Sequence, residues 1–151
     1  MRRVWLAFTV AICVTMPAIA TEKTDVMARV RRFVTDFNKG DTKAAMAACS
    51  DVTSIIDEFP PHQWQGADAC SKWMNDYNAW AAQGGVSGGR VILGVPLHVD
   101  ITGDRAYVVV PASFTYKQKG KPVREMGSRL TVVLAKGGAG WRMVAWAWTE
   151  R

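Results

Sequence analysis

The chain has 151 residues, enough for one domain with a sizeable core, and 49 % of them are hydrophobic. Its formal net charge is +6 at pH 7, but the basic residues form no broad stripe, which argues against a nucleic-acid partner. Two histidines and three cysteines with no CxxC or HxxxH spacing argue against a metal centre.

The first twenty residues read as an export signal. Arg2 and Arg3 start it, and Val4 to Met16 is a mostly apolar run too short to span a bilayer. Pro17-Ala18-Ile19-Ala20 offers a small-x-small cleavage site, which makes residues 21–151 one exported domain, periplasmic or secreted, starting at Thr21. Ile12 is not the small residue that lipidation of Cys13 needs, and no later segment reads as a membrane anchor. Cleavage leaves 17 basic residues against 13 acidic ones, and two cysteines, Cys49 and Cys70. In an oxidising compartment that pair predicts a disulfide. Two separate buried thiols are the alternative.

Helices come first. Thr24-Asp25 reads as an N-cap with a first-turn acid, and Val26, Val30, Phe33, Val34 and Phe37 then recur at helical spacing. Asn38-Lys39-Gly40 stops that helix, and Asp41 caps a short alanine-rich one through Ala48. Residues 52–58 are β-branched and read as a strand. The segment 59–66 holds Pro60 and Pro61 and is expected to be a loop. A third helix is expected from Ala67 to Gln83, with Cys70, Trp73, Tyr77 and Trp80 along one face. The two half-cystines then lie on neighbouring helices. Gly84-Gly85 and Gly88-Gly89 read as the linker that follows.

Strands fill the second half. Residues 90–101 alternate strictly, with Val91, Leu93, Val95, Leu97, Val99 and Ile101 on one face and His98 on the other. Pro96 bends that strand or puts it at an edge. Thr102-Gly103-Asp104 turns into 105–117, Lys119-Gly120-Lys121-Pro122 into 123–136, and Gly137 to Gly140 into the last strand. The lysines near the second turn read as a solvated hairpin tip. Helices followed by a meander are an α+β pattern, and a sheet this long must curl around the helices and enclose a pocket.

The order and spacing of several short motifs carry a resemblance. They are Phe37-Asn38-Lys39-Gly40-Asp41, Trp64-Gln65-Gly66, Gly103-Asp104-Arg105-Ala106-Tyr107-Val108 and Gly140-Trp141-Arg142. Together they resemble the nuclear transport factor 2-like superfamily, and within it SnoaL-like domain proteins, over about Asp25 to Trp148. The resemblance implies a cystatin-like cone, a curved sheet around the first helices with a central pocket. Members include isomerases, cyclases, dehydratases and binding modules, so fold does not decide function. The resemblance also permits a homodimer formed through the sheet.

Candidate chemistry follows from residue type. Asp57 and Glu58 follow Ile55-Ile56, and strand alternation turns one of them inward, where an apolar pocket raises a carboxylate's pKa and suits it to act as a base. A strand-end carboxylate that caps the proline loop is the alternative. His98 is a pocket base if its strand face turns inward, and inert if it faces solvent. His62, in the proline loop, is a base at the rim or is exposed. Tyr116, at the mouth, and Tyr77 offer phenols to a developing oxyanion. Trp64, Trp73, Tyr77, Trp146 and Trp148 form either an aromatic core or an aromatic wall for a small, flat, apolar molecule. No nucleophile motif or phosphate-cradling loop is found, and nothing asks for a cofactor. The expected function is ligand binding in the cone, with cofactor-free isomerase or cyclase chemistry as its catalytic form. The alternatives are a non-catalytic interaction or dimerisation module of the cell envelope, and a structural protein whose cone is filled by side chains.

Overall fold

A computed structural model describes residues 17–150, with side chains from residue 21 onward, and the rest of the expected signal, residues 1–16, lies outside the described residues. Helix α1 (Pro17–Asn38) is continuous. The expected N-cap at Thr24 is thereby corrected: proline fits a first helical position, which needs no amide hydrogen, and the helix passes through Thr24. The expected cleavage point after Ala20 falls within this helix. Val26, Val30, Phe33 and Val34 are buried along its inner stripe, with Phe37 packed beside them. Its end is clamped to the sheet. The Asn38 amide donates to the Val91 carbonyl and accepts from the Val91 amide, both at 2.8 Å.

Asp41 caps the short helix α2 (Thr42–Met46) by accepting from Ala44 N at 3.0 Å. Strand β1 (Cys49–Ile56) starts three residues before the expected strand. Cys49 is therefore a strand residue, not a helical one. It bonds Cys70 in the first turn of α3 (Ala69–Gly84), with Cα atoms 6.6 Å apart. The strand also ends at Ile56, two residues before the expected end, which corrects Asp57 and Glu58. They stand in the turn after β1, outside any alternation.

The expected loop at 59–66 is only half a loop. Strand β2 (Gln63–Gly66) pairs antiparallel with β1, placing Trp64 opposite Ile55. Both prolines sit in the turn between them, joined by a cis bond, where no ladder amide is needed. Gly85 ends α3 in the left-handed region, at φ 65°.

The glycine linker is also corrected. Gly88 and Gly89 lie inside strand β3 (Val86–Leu93), at a register shift. A Cβ on Gly89 would stand 2.7 Å from the Tyr77 hydroxyl and 2.9 Å from the Phe114 ring. Glycine lets α3 and the sheet close up there. The expected strand at 90–101 is broken at Gly94 to Leu97 and resumes as β4 (His98–Thr102). Both pieces pair with β5 (Arg105–Gln118) along one edge, so Pro96 sits where a strand can lose a donor.

Strands β6 (Lys121–Gly137) and β7 (Gly140–Thr149) complete a seven-stranded sheet in the order β2-β1-β7-β6-β5-β3, with β4 also on β5. Only the β1–β7 pair is parallel. The inner faces of β5, β6 and β7 bury Val108, Val110, Phe114, Leu130, Val132 and Trp146 against α1 and α3. Between β5 and β6 the register slips by one residue: Ala112 faces Ser128, Ser113 faces Met126, and Gly127 is left over at φ 89°. This bulge bends the long hairpin.

Among the described residues no helix is long and apolar enough to cross a membrane. The disulfide joins residues 21 apart, a closure worth about 3 kcal/mol by chain entropy. Chemical denaturation with and without reductant should differ by about that amount. An unchanged midpoint would refute the contribution.

Candidate functional site

The sheet, α1 and α3 enclose an apolar cleft of about 560 Å³, counted to its open mouth. A water molecule's centre can reach about 60 Å³ of it, several times what one water needs. The helices supply one wall: Phe33 and Phe37 from α1, and Trp73, Tyr77 and Trp80 from α3. The sheet supplies the other, with Val91, Phe114, Leu130, Trp146 and Trp148. The helical spacing of Trp73, Tyr77 and Trp80 turns all three rings the same way. Trp73 stacks on Tyr77 at 6.0 Å and meets Trp146 edge to face at 4.7 Å. Phe59, from the β1–β2 turn, stacks on Trp80 at 5.7 Å.

Asp57 and Glu58 both line this cleft. The Asp57 Oδ2 accepts from the Trp73 indole Nε1 at 2.8 Å, and Oδ1 accepts from the Glu58 amide at 2.8 Å. Burial pushes the Asp57 carboxyl up to about 6, and the two donors recover only part of that cost. A carboxylate has four lone-pair sites, so two donors leave it able to accept another proton. Burial likewise pushes the Tyr77 phenol up to about 12, helped by the Asp57 and Glu125 charges. Tyr77 is thus a donor throughout the neutral range.

The mouth is acidic. Carboxylate oxygens of Glu58, Glu125 and Glu150 lie within 4.8 Å of one another. Glu58 is raised by burial first, then by Glu150, Glu125 and Asp57, and Glu125 by burial and Glu150. Tyr116 donates to Glu125, which pushes the phenol up to about 12. The three carboxylates offer hard oxygen donors of the kind a divalent cation takes. Two of them are exposed, where protonation and salt relieve the same repulsion.

The remaining expected residues fall elsewhere. His98 is exposed, on the face turned away from the core, while its strand neighbours Val99 and Ile101 pack inward. That corrects it as a pocket base. His62 is exposed in the proline turn, its Nδ1 3.2 Å from the Asp57 carbonyl oxygen. Trp64 is buried outside the cleft, behind Phe59 at 5.0 Å, with its indole donating to Asp76 at 2.7 Å. Tyr116 is a mouth residue, not a lining one. Phe33, Phe37 and Trp80 were read from the sequence as helix-face residues and not as pocket residues, and Glu125 and Glu150 were not singled out. The signal for Glu125 lay in the register, which sets it opposite the inward-facing Phe114.

The profile of the SnoaL-like domain matches residues 26–147. The chain belongs to the SnoaL-like domain family. Among solved structures it is similar to a nuclear transport factor 2-like superfamily protein from Salmonella enterica, at 20 % identity and a TM-score of 0.74, covering 88 % of this chain and 93 % of that one. A cystatin-like-fold protein from Novosphingobium aromaticivorans matches at 16 % identity and a TM-score of 0.71, over 87 % and 83 % of the two chains. A ketosteroid isomerase-like protein from Erwinia carotovora matches at 18 % identity and a TM-score of 0.67, over 85 % and 95 %. At these identities the likeness shows the fold. No protein of curated function matches the chain in sequence.

Asp57 titrates beside an indole, so tryptophan fluorescence should follow it with a midpoint near pH 6. Because the folded-state value lies above the unfolded 3.8, the folded protein holds the extra proton between the two. Asp57's contribution to stability is therefore fully present below pH 3.8 and falls as pH rises to about 6. D57N should remove both the optical titration and that slope, and a variant that keeps both would refute the assignment.

Proposed function

We propose that this chain binds a small, flat, apolar or aromatic molecule in the cleft between the helices and the sheet. We further propose that Asp57 acts on it as a general base. One observation carries the reading: a carboxyl pushed up to about 6 stands in an aromatic wall and is oriented by the Trp73 indole. A base works best when its pKa lies near the operating pH. A proton next to a carbonyl is the kind such a base removes, and no cofactor is needed for that step. Tyr77, protonated and lining the same cleft, would donate to the enolate oxygen. The reaction class is cofactor-free proton transfer, as in isomerisation or cyclisation. The similarity in fold to a ketosteroid isomerase-like protein supports this. The Cys49–Cys70 disulfide supports a place outside the cytoplasm, periplasmic or secreted.

The test is proton exchange. Wild type should catalyse deuterium uptake at the α-carbon of a small aromatic ketone in heavy water. D57N should lower that rate by about 10²-fold or more and leave ketone affinity nearly unchanged. A ketone that binds without exchange above buffer refutes the catalytic part and leaves a binding module.

A second reading has its own observation. The outer sheet face exposes Ile92 (47 %) and Met126 (60 %) on either side of Ser113. We propose this as the surface for a homodimer. Sedimentation should show a dimer that M126E converts to monomer, and a wild-type monomer at high concentration would refute it.

A further inference from the structure

One buried indole of the cleft wall has a donor without a hydrogen-bond partner among the described residues. Two other indoles near the Asp57 turn are partnered. Trp73 donates to Asp57 and Trp64 donates to Asp76. Trp146 is only 4 % exposed, and its Nε1 is buried with no hydrogen-bond partner among the described residues. Leaving such a group unmade costs stability, typically on the order of 1–3 kcal/mol. A phenylalanine would fill an apolar wall at that position without the penalty. Trp146 also lines the cleft and stands 4.7 Å from Trp73, whose indole holds Asp57.

We propose that the Trp146 indole N–H is the donor that reads the ligand, and that the ligand carries a neutral oxygen acceptor, a ketone or similar carbonyl, on its buried ring. This rests on the ligand-cleft reading and adds the polar feature that an apolar wall cannot specify. Van der Waals contact with Phe33, Phe37 and Trp148 accepts any flat hydrocarbon of suitable size. A single buried donor discriminates, because a ligand without an acceptor leaves it unpaired. The acceptor is neutral rather than anionic, since the mouth through which it passes carries Glu58, Glu125 and Glu150. The oxygen bonded to Trp146 would lie one indole away from the Asp57 carboxyl, so the same contact orients the ring relative to the base.

The experiment compares 2-tetralone with tetralin, which share a ring system and differ in the carbonyl. Wild type should bind 2-tetralone roughly 3- to 10-fold more tightly than tetralin. W146F should lose most of that preference. In protein labelled with ¹⁵N-tryptophan, the indole peak of Trp146 should move downfield with 2-tetralone and stay in place with tetralin. Should W146F not fold, the same peak is assigned in wild type from its through-space contacts to Phe33 and Trp73. Equal binding of both ligands with an unmoved indole peak overturns this proposal while the cleft reading stands. That is also the result if the Trp146 N–H is already spent on the face of Trp73. If neither ligand binds, the cleft reading fails and this proposal falls with it.

Discussion

The bend in the β5–β6 hairpin is the constraint on which the rest of the structure depends. Strands of 14 and 17 residues are too long to lie flat on helices of this size. Gly127, left over in the ladder at φ 89°, lets β6 turn there at no steric cost. Beyond the bend Phe114 stands opposite Glu125, and Tyr116 follows on the same face. The inner surface thereby becomes concave. Side chains that would meet the helices across a flat sheet are instead spread along a wall, and the cleft is the space left between. Two local features hold the curved sheet against the helices. Gly89 admits the Tyr77 hydroxyl and the Phe114 ring, and the Asn38 amide satisfies both backbone groups of Val91.

Within that frame the aromatic rings do two jobs that pull in opposite directions. Phe33, Phe37, Phe59, Trp73, Tyr77, Trp80 and Trp146 form a connected set, with neighbouring centroids 4.7 to 6.5 Å apart. Burial of such rings is the largest favourable contribution a small core can offer. The same rings remove water from Asp57, whose ionised form then becomes costly. The indole of Trp73 offsets part of this with a charge-assisted hydrogen bond. The balance is a carboxyl that is neither freely ionised nor permanently neutral, and that is the electrostatic state proton transfer requires.

The order of elements was legible because it depends on long periodic runs. The inner stripe of α1, the aromatic face of α3 and the three long strands each repeat over ten or more residues, and tertiary context does not override such runs. Asp41 as a cap and Cys49 with Cys70 were legible too, since each has one dominant local or covalent use. The errors fall where local signals conflict with long-range pairing. Two prolines read as the end of a strand, yet they occupy only the turn, and β2 forms because β1 presents Ile55 and Ile56 to pair with. Gly88-Gly89 read as a linker because glycine disfavours strands, yet its lack of a Cβ is what lets that strand pack. Asp57 was singled out through an alternation that does not reach it. Its place in the cleft comes from the turn, and the Trp73 partner lies 16 positions away on another element, which no single-sequence pattern encodes. His98 went the other way. Its strand does alternate, but which face turns inward is fixed only when β4 pairs with β5.

The difference between a container and a catalyst comes down to what the cleft keeps that packing does not ask for. A binding module or a filled structural cone is best served by an uninterrupted apolar wall. An asparagine at position 57 would still accept from Trp73 through its one oxygen, would carry no charge to desolvate, and would fit the same volume. The chain instead keeps a carboxyl there and accepts the cost of its ionised form. Beside it, Trp146 keeps a donor that no described protein group satisfies. Neither feature helps the fold, and both sit on the same cleft, separated by one indole. Groups that cost stability and converge on one space are the usual mark of a site shaped by its ligand. What the fold loses at these positions is recovered by the aromatic burial around them, and that is why the rings and the unsatisfied polar groups occur together.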